Sequence, residues 1–464
     1  MQSCRMEVRS GRARVLVWAW LLGAASGLAG EDSWLNVGLA VRDITPELPI
    51  RLAGYAGRKR PADKLDQPLR VQALALQNAT GDAFVFVALD NLGVSRAFMQ
   101  PVREQLAARH ALPPGAVAVV ASHTHSGPVL QRTLTDMVDA APAELERIAA
   151  YSRLLQERLV EVVGAALADC RPARLEYGLG RAGFAMNRRV YGAERVVFGD
   201  NPDGPADHDV PVLRICDTRG AVRAVLFGYA CHGTSVRSGD DWYTVSGDYM
   251  GYARQLLEAH QPGAVAVFLT GMGADADPSP RGQLLHARQH GLELAGAVMG
   301  VLGRPMRPVR GGFQWAYTEV DLPLVSPPDR ARLEQDAQSG NTHVKKRALA
   351  YKRMAEAGQP WPAAVSLPVA VLRLGDELTI VLMGGEVVVD YAKRIKRQFA
   401  DRHPWPVGYA YEVPCYIPSA RVLKEGGYEV EDSMIYYGFY GPFRGEIEAR
   451  LFQALERLLA DVGP

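Results

Sequence analysis

The sequence predicts an α/β fold: a mixed sheet with flanking helices, in one large catalytic domain whose functional residues sit at strand ends. Two observations carry this. Short Val-rich apolar runs recur and end in polar or glycine-rich turns, the pattern of buried strands. Between them lie stretches with helical apolar periodicity, and strands alternating with helices define the class. No repeat or low-complexity segment competes with that reading.

The N-terminus is expected to stand apart from the fold. Arg5, Arg9, Arg12 and Arg14 precede an apolar run from Val15 to Ala25, and small residues follow before Glu31 and Asp32. This is the layout of a secretory signal peptide over about residues 1–30, with an uncleaved anchor as the alternative. The run is shorter than the ~20 residues that span a bilayer. Export to the periplasm or beyond follows, with residues 31–464 as the mature domain.

The strand candidates are Val37–Val41, Ala83–Leu89, Ala116–Ala121, Val222–Ala230, Ala264–Leu269 and Leu378–Met383. The helix candidates are Glu144–Ala168, Tyr249–Ala259, Leu284–Val301, Val388–Phe399 and Glu446–Leu459. A charged, helix-patterned stretch from Asp329 to Glu356 reads as an excursion outside the sheet, spanning about 326–362. A net charge of +1 offers no global field for nucleic acid or an anionic membrane. Cys170, Cys216, Cys231 and Cys415 match no metal knuckle or dense disulfide framework and read as buried free thiols, with one or two bridges formed after export as the alternative. Asn78-Ala79-Thr80 is a glycosylation sequon.

Four strand ends carry chemistry, and the crevice beyond strand carboxyl ends is where α/β sites form. After Ala121 comes Ser122-His123-Thr124-His125. In extended backbone His123 and His125 would face one site, and neutral imidazole is a common zinc ligand; a hydrogen-bonded pair of loop histidines is the alternative. After Ala230 comes Cys231-His232. Cys231 would point away from the face that His232 uses, which argues against a thiol nucleophile. After Leu269 a glycine-rich turn holds Asp275 and Asp277, a poor phosphate cradle because no lysine follows and the carboxylates repel phosphate. After Met383 comes Gly384-Gly385-Glu386. A buried carboxylate there needs a metal or an arginine as partner, unless it merely stabilises the first turn of the next helix. Two histidine strand ends and a glutamate strand end together make a zinc site with N and O ligands.

Ser122-His-Thr-His-Ser-Gly-Pro128 resembles the motif of the neutral, non-lysosomal ceramidases. Leu52-Ala-Gly-Tyr55, Asp90, Met186-Asn-Arg188, Ala230-Cys-His232, Ser246-Gly-Asp248 with Gly251-Tyr-Ala253, Gly385-Glu386, Tyr416-Ile-Pro-Ser419, Gly427-Tyr-Glu429 and Tyr440-Gly-Pro442 resemble further elements of that family in the same order. The match runs from about Val37 to the C-terminus, where the family's immunoglobulin-like second domain would begin. The resemblance implies one zinc ion held by His123, His232, Glu386 and Tyr416, substrate contact by Arg188, and His125 beside the metal as a neighbour that orients ligands or shuttles protons. The assignment of Tyr416 rests on the resemblance alone.

The chain departs from the family at the catalytic serine of a Gly-Asp-Val-Ser-Pro element. Counting without a gap from Phe268 puts Asp277 in that place; a slip of two puts Ser279 there. The ungapped register keeps strand and turn lengths intact. An aspartate is a weak nucleophile toward an amide, so with Asp277 a metal-activated water would attack, Asp277 or His125 would act as base, and zinc with Arg188 would stabilise the oxyanion. The expected activity is hydrolysis of a linear amide in an N-acyl amine such as N-acylsphingosine. The expected partners are a small, lipid-like substrate and peripheral membrane contact, with no nucleic acid. The rivals are a zinc hydrolase of an ester, lactone or carbohydrate-derived substrate, and a metal-dependent binding protein without turnover.

Overall fold

Neighbouring residues of the central strands face different cores. Ala370, Leu372 and Leu374 belong to one apolar cluster, while Leu367, Val369 and Val371 on the same strand belong to another. Likewise Phe84 and Phe86 face inward where Val85 and Val87 face outward. A strand apolar on both faces must be covered on both, and the fold supplies that cover. The structure is a computed structural model and describes residues 34–463 except 79, 135, 136 and 327. The expected signal peptide lies outside the described residues.

The larger sheet runs in the order Val265–Thr270, Val222–Tyr229, Asp209–Asp217, Arg171–Arg181, Leu35–Asp43, Arg70–Gln77, Ala83–Leu89, Val117–Ala121. Its two terminal pairs are parallel and the pairs between them antiparallel. The second sheet joins Phe313–Pro323, Ala364–Leu374, Leu378–Met383 and Pro404–Val407, its last pair parallel. The two sheets pack face to face through Phe84, Phe86, Leu226 and Leu269 on one side and Leu372, Ile380, Leu382 and Trp405 on the other.

Helices cover the outer faces. Arg96–His110 and Pro142–Ala168 lay Phe98, Val102, Leu155 and Leu159 on Val71, Val85 and Val119. Asp248–His260 and Leu284–Leu302 lay Tyr249, Leu257, Leu294 and Val298 on Val225, Phe227 and Phe268. Val389–Gln398 and Ile447–Asp461 cover the second sheet through Tyr391, Leu451 and Leu455. The observed class is therefore the mixed α/β architecture with flanking helices that the sequence predicts.

Each strand and helix candidate has a counterpart within a few residues. The excursion forms two helices rather than one pattern: Arg330–Ala337 stops before Ser339-Gly340, and Asn341 restarts the chain as a cap, accepting the N–H groups of His343 and Val344 at 2.9 and 3.3 Å. Among the described residues Cys170, Cys216, Cys231 and Cys415 are unpaired. No helix among them is long and apolar enough to cross a membrane.

Candidate metal centre

The carboxyl ends of four strands meet at one end of the two-sheet stack. Val117–Ala121 leads to His123, Val222–Tyr229 to His232, Val265–Thr270 to Asp275 and Asp277, and Leu378–Met383 to Glu386. Backbone pairing joins the segments beyond the strands. Thr124 bridges Gly233, and the His232 N–H donates to the Ala276 carbonyl at 3.0 Å. Glu386 pairs directly with Tyr416 in a two-residue ladder. Gly273 lets the turn pass the Ala230 carbonyl, which an added Cβ would approach to 2.3 Å.

His123 does not occupy the extended backbone expected of it. Its φ is +58°, in the left-handed region. The imidazoles of His123 and His125 nevertheless converge, with Nε2 atoms 3.2 Å apart. Glu386 Oε2 lies 3.2 Å from His123 Nε2 and 3.1 Å from His232 Nε2, and the Tyr416 hydroxyl is 3.2 Å from His232 Nε2. All five side chains are buried. Cys231 is buried against Phe184 and Tyr249 on the other side, and burial pushes its thiol well above its usual range.

This arrangement fits a cation. His123 Nδ1 is 2.6 Å from the Leu92 carbonyl oxygen, which can only accept, so Nδ1 carries the proton and Nε2 is a lone pair. That lone pair faces a carboxylate and a second imidazole nitrogen. Protonating the histidines would relieve the clash of acceptors, but burial, the neighbouring imidazoles and Arg188 hold His125 and His232 below their ordinary value. Burial would raise Glu386, and only positive charge beside it, on His123 and His232 or on a cation between them, keeps the carboxylate well below its usual range. Burial and the Glu386 carboxylate push the Tyr416 hydroxyl well above its usual range. The Nε2 or Nδ1 atoms of His123, His125 and His232 lie within 4.8 Å of one another, the spacing of metal ligands.

Glu386 is not spent on the helix that follows it. The Val389 N–H is taken by Asp275 Oδ1 at 2.8 Å, and Asp275 Oδ2 accepts from Asn187 at 3.1 Å. Asp275 thus ties the glycine-rich turn to that helix; burial raises its carboxyl to about 6. Asp277 faces the centre. Its Oδ1 accepts from Thr234 at 2.9 Å and lies 3.5 Å from Arg188 Nη1, while its Oδ2 is 2.6 Å from Arg281 Nη1. Burial would raise Asp277, but Arg188 and Arg281 prevail and hold it at about 2. Ser279 is half-exposed and donates its hydroxyl to Asp200 at 3.1 Å, away from these contacts. Arg188 also donates to the Tyr416 hydroxyl at 3.2 Å.

Sequence reasoning missed several neighbours. The Tyr437 hydroxyl donates to Glu386 Oε1 in a very short contact, from a single helical turn that no periodicity marks. Glu429, named before only within a motif, accepts from Arg188 Nε through Oε1 at 2.9 Å. Tyr409 packs on His123 with ring centroids 4.4 Å apart. Tyr55, quoted above only as part of a motif, packs on His125 at 4.7 Å. The motif's glycine has a clear role there: Gly54 has φ +91°, and a Cβ on it would come within 2.4 Å of His125 Nδ1.

A sequence profile of the N-terminal domain of neutral/alkaline non-lysosomal ceramidases matches residues 35–280, more than half of the chain. The chain belongs to the neutral/alkaline ceramidase family. Among solved structures it is similar to one described as a neutral ceramidase from Pseudomonas aeruginosa, with TM-score 0.69 and 20% identity over 92% of this chain and 74% of that one. It is similar also to one described as a ceramidase complexed with C2, with TM-score 0.68 and 19% identity over 92% and 76%. At such identities these two likenesses establish the neutral ceramidase fold. No curated protein matched the sequence. The family match covers the elements that carry His123, Arg188, His232 and Asp277; Glu386 and Tyr416 lie beyond it and enter the centre by geometry.

Proposed function

We propose that this ceramidase-family protein is a zinc-dependent hydrolase of a linear amide bond in an N-acyl amine, with N-acylsphingosine as the reference substrate. The observation that carries the reading is the convergence of His123, His232, Glu386 and Tyr416, lone pairs and carboxylate facing one another in a buried site, with the Arg188 guanidinium at their edge. Three nitrogen or carboxylate donors and a phenol suit zinc, which takes N and O ligands and keeps an open position in catalytic sites. The chemistry zinc supplies when bound is Lewis-acid polarisation of a carbonyl and acidification of water.

The chain's own residues divide the remaining work. Arg188 offers N–H groups where negative charge would develop on the amide oxygen. Asp277, held at about 2, is too weak a base to draw a proton near neutral pH, and it keeps Arg188 and Arg281 in place instead. His125 is held below its ordinary value too, by burial and the neighbouring imidazoles, so in this reading it passes a proton toward the leaving amine rather than holding one, from an Nε2 that lies 3.2 Å from that of His123. Ser279 turns its hydroxyl toward Asp200, and this reading gives it no step in the reaction.

The test is release of fatty acid from an N-acylsphingosine by residues 31–464, zinc-loaded, with and without chelator. Chelator-sensitive release is expected. Turnover that survives complete zinc removal would sink the reading, and hydrolysis of a matched ester without the amide would redirect it to ester chemistry.

We propose in addition that the protein is exported, on the basic-then-apolar layout of its first 30 residues. Expressed in its own host, the mature chain is expected to begin near Glu31. A mature protein that retains Met1 and stays in the cytoplasm would refute export.

A further inference from the structure

Arg188 and Arg189 are consecutive on the strand Ala185–Tyr191, and regular alternation would send them to opposite faces. They reach the same carboxylate. Glu429 accepts from Arg188 Nε through Oε1 at 2.9 Å and from Arg189 Nη1 through Oε2 at 2.5 Å. The cause is local. The pairing of this strand with Val196–Asn201 shifts register between Asn187 and Arg189, and Asn187 Oδ1 accepts the Arg189 N–H at 3.0 Å. Such a bulge re-aims a side chain. Glu429 itself lies in the short π-helical turn Tyr428–Asp432, the kind of irregular turn that recurs at functional sites.

The three charged groups are each at most 5% exposed. A buried carboxylate between two buried guanidiniums is expensive to desolvate and is offset only by full pairing. The pairing is directional. A guanidinium is a rigid planar fork, and fixing Nε fixes the direction of both Nη groups. With Nε held from behind, Nη2 points at the Tyr416 hydroxyl at 3.2 Å, and Nη1 lies 3.4 Å from His232 Nε2 and 3.5 Å from Asp277 Oδ1. Arg189 anchors the clamp, donating through Nη2 to Glu425 and to the Gly426 carbonyl, both at 3.0 Å. Phe198 and Tyr428 flank the Arg188 plane at 4.9 and 5.7 Å.

We propose that Glu429 is a positioning residue: by gripping Arg188 Nε it aims the Nη edge of Arg188 at the metal centre, where that edge receives a carboxylate or an oxyanion. The catalytic consequence rests on the hydrolase reading above; the anion-binding consequence does not.

The experiment is a double-mutant cycle on the zinc-loaded chain, with octanoate as the probe and calorimetric titration as the readout. Charge-assisted hydrogen bonds are worth about 1.5–3 kcal/mol, or about 10–100-fold in affinity. Glu429→Gln and Arg188→Ala are each expected to weaken octanoate binding by at least about tenfold, with zinc content unchanged. The double variant is expected to match Arg188→Ala, because Glu429 acts only through Arg188. Additive losses, an unaffected Glu429→Gln, or no binding of octanoate to the unaltered protein would each overturn the proposal. If Glu429→Gln does not fold, Arg188→Lys decides: it keeps the charge but loses the fork, so an affinity equal to that of the unaltered chain would refute positioning. Where the amide is turned over, Glu429→Gln should lower kcat more than it raises KM, as loss of a transition-state contact does. A chain that binds octanoate through Arg188 but hydrolyses no N-acylsphingosine keeps this proposal and loses the hydrolase reading.

Discussion

Replacing His123 and His232 together by alanine is expected to remove both the metal and the activity. Zinc per chain should fall from about one ion to none, and turnover by at least about a thousandfold, since a catalytic metal supplies several kcal/mol of transition-state stabilisation. The two rings supply the nitrogens that flank Glu386 Oε2 at 3.2 and 3.1 Å. Thermal unfolding gives a second readout. A ligand at one hundred times its dissociation constant stabilises by about 2.7 kcal/mol, so chelator should lower the Tm of the unaltered chain and leave that of the double variant where it is. His125→Ala separates two roles for the third histidine. As a neighbour of the metal it should cost turnover while zinc content holds; loss of zinc equal to that of His123→Ala would make His125 a ligand. Elemental analysis of the purified proteins checks each point.

The residues of this centre differ in how much of their role is written locally. His123, His232 and Glu386 each follow an apolar strand directly, where an ionisable group needs a specific partner, and that made them legible. The route by which His123 gets there was not. The left-handed turn at φ +58° depends on the Asn91 carbonyl, which accepts the His123 N–H at 3.0 Å from another strand end. Tyr416 lies in a two-residue ladder with Glu386, too short to leave a periodic trace, and only family resemblance pointed to it. Tyr437 and Glu429 sit in a helical turn and a π-helical turn whose sequence is polar and aromatic without period. Their roles arise from packing against Glu386 and Arg188, residues far away in sequence.

The sheets show the same division. Continuous apolar runs marked strands buried on both faces, such as Ala83–Leu89 and Leu378–Met383. Strands with a partly solvated face carry polar residues at intervals and escaped that criterion. Phe313–Pro323, with Gln314 and Glu319 in it, is one, and Arg171–Arg181 is another. Asp90 had a motif-level match; it is fully buried and pairs with Arg254 at 2.5 Å, just before Asn91 and Leu92, whose carbonyls hold His123.

Asp277→Ala is expected to be among the most damaging single changes outside the metal ligands. It would leave the Arg281 guanidinium with Thr234 as its polar contact at 3.4 Å and strip Arg188 of one of its two carboxylates. Breaking a buried pair by removing one partner costs about 3–5 kcal/mol, readable by urea unfolding. Asp277→Asn keeps the volume and isolates the charge. The folded carboxyl sits at about 2 against an ordinary 3.8, so its ionised form is favoured by folding. That contribution is fully present above about pH 4 and is lost as pH falls through 2. The stability gap between the native chain and Asp277→Asn should be about 2 kcal/mol at pH 7 and about 1 kcal/mol smaller at pH 3. Turnover adds an independent constraint. Because Asp277 is ionised throughout the range from pH 5 to 8, Asp277→Asn should lower kcat by about ten- to a hundredfold through the displaced Arg188, and should leave the shape of the pH–rate profile as it was. Disappearance of an acidic limb in the variant would mean that Asp277 exchanges protons with the substrate, and the division of labour between Asp277 and His125 would reverse.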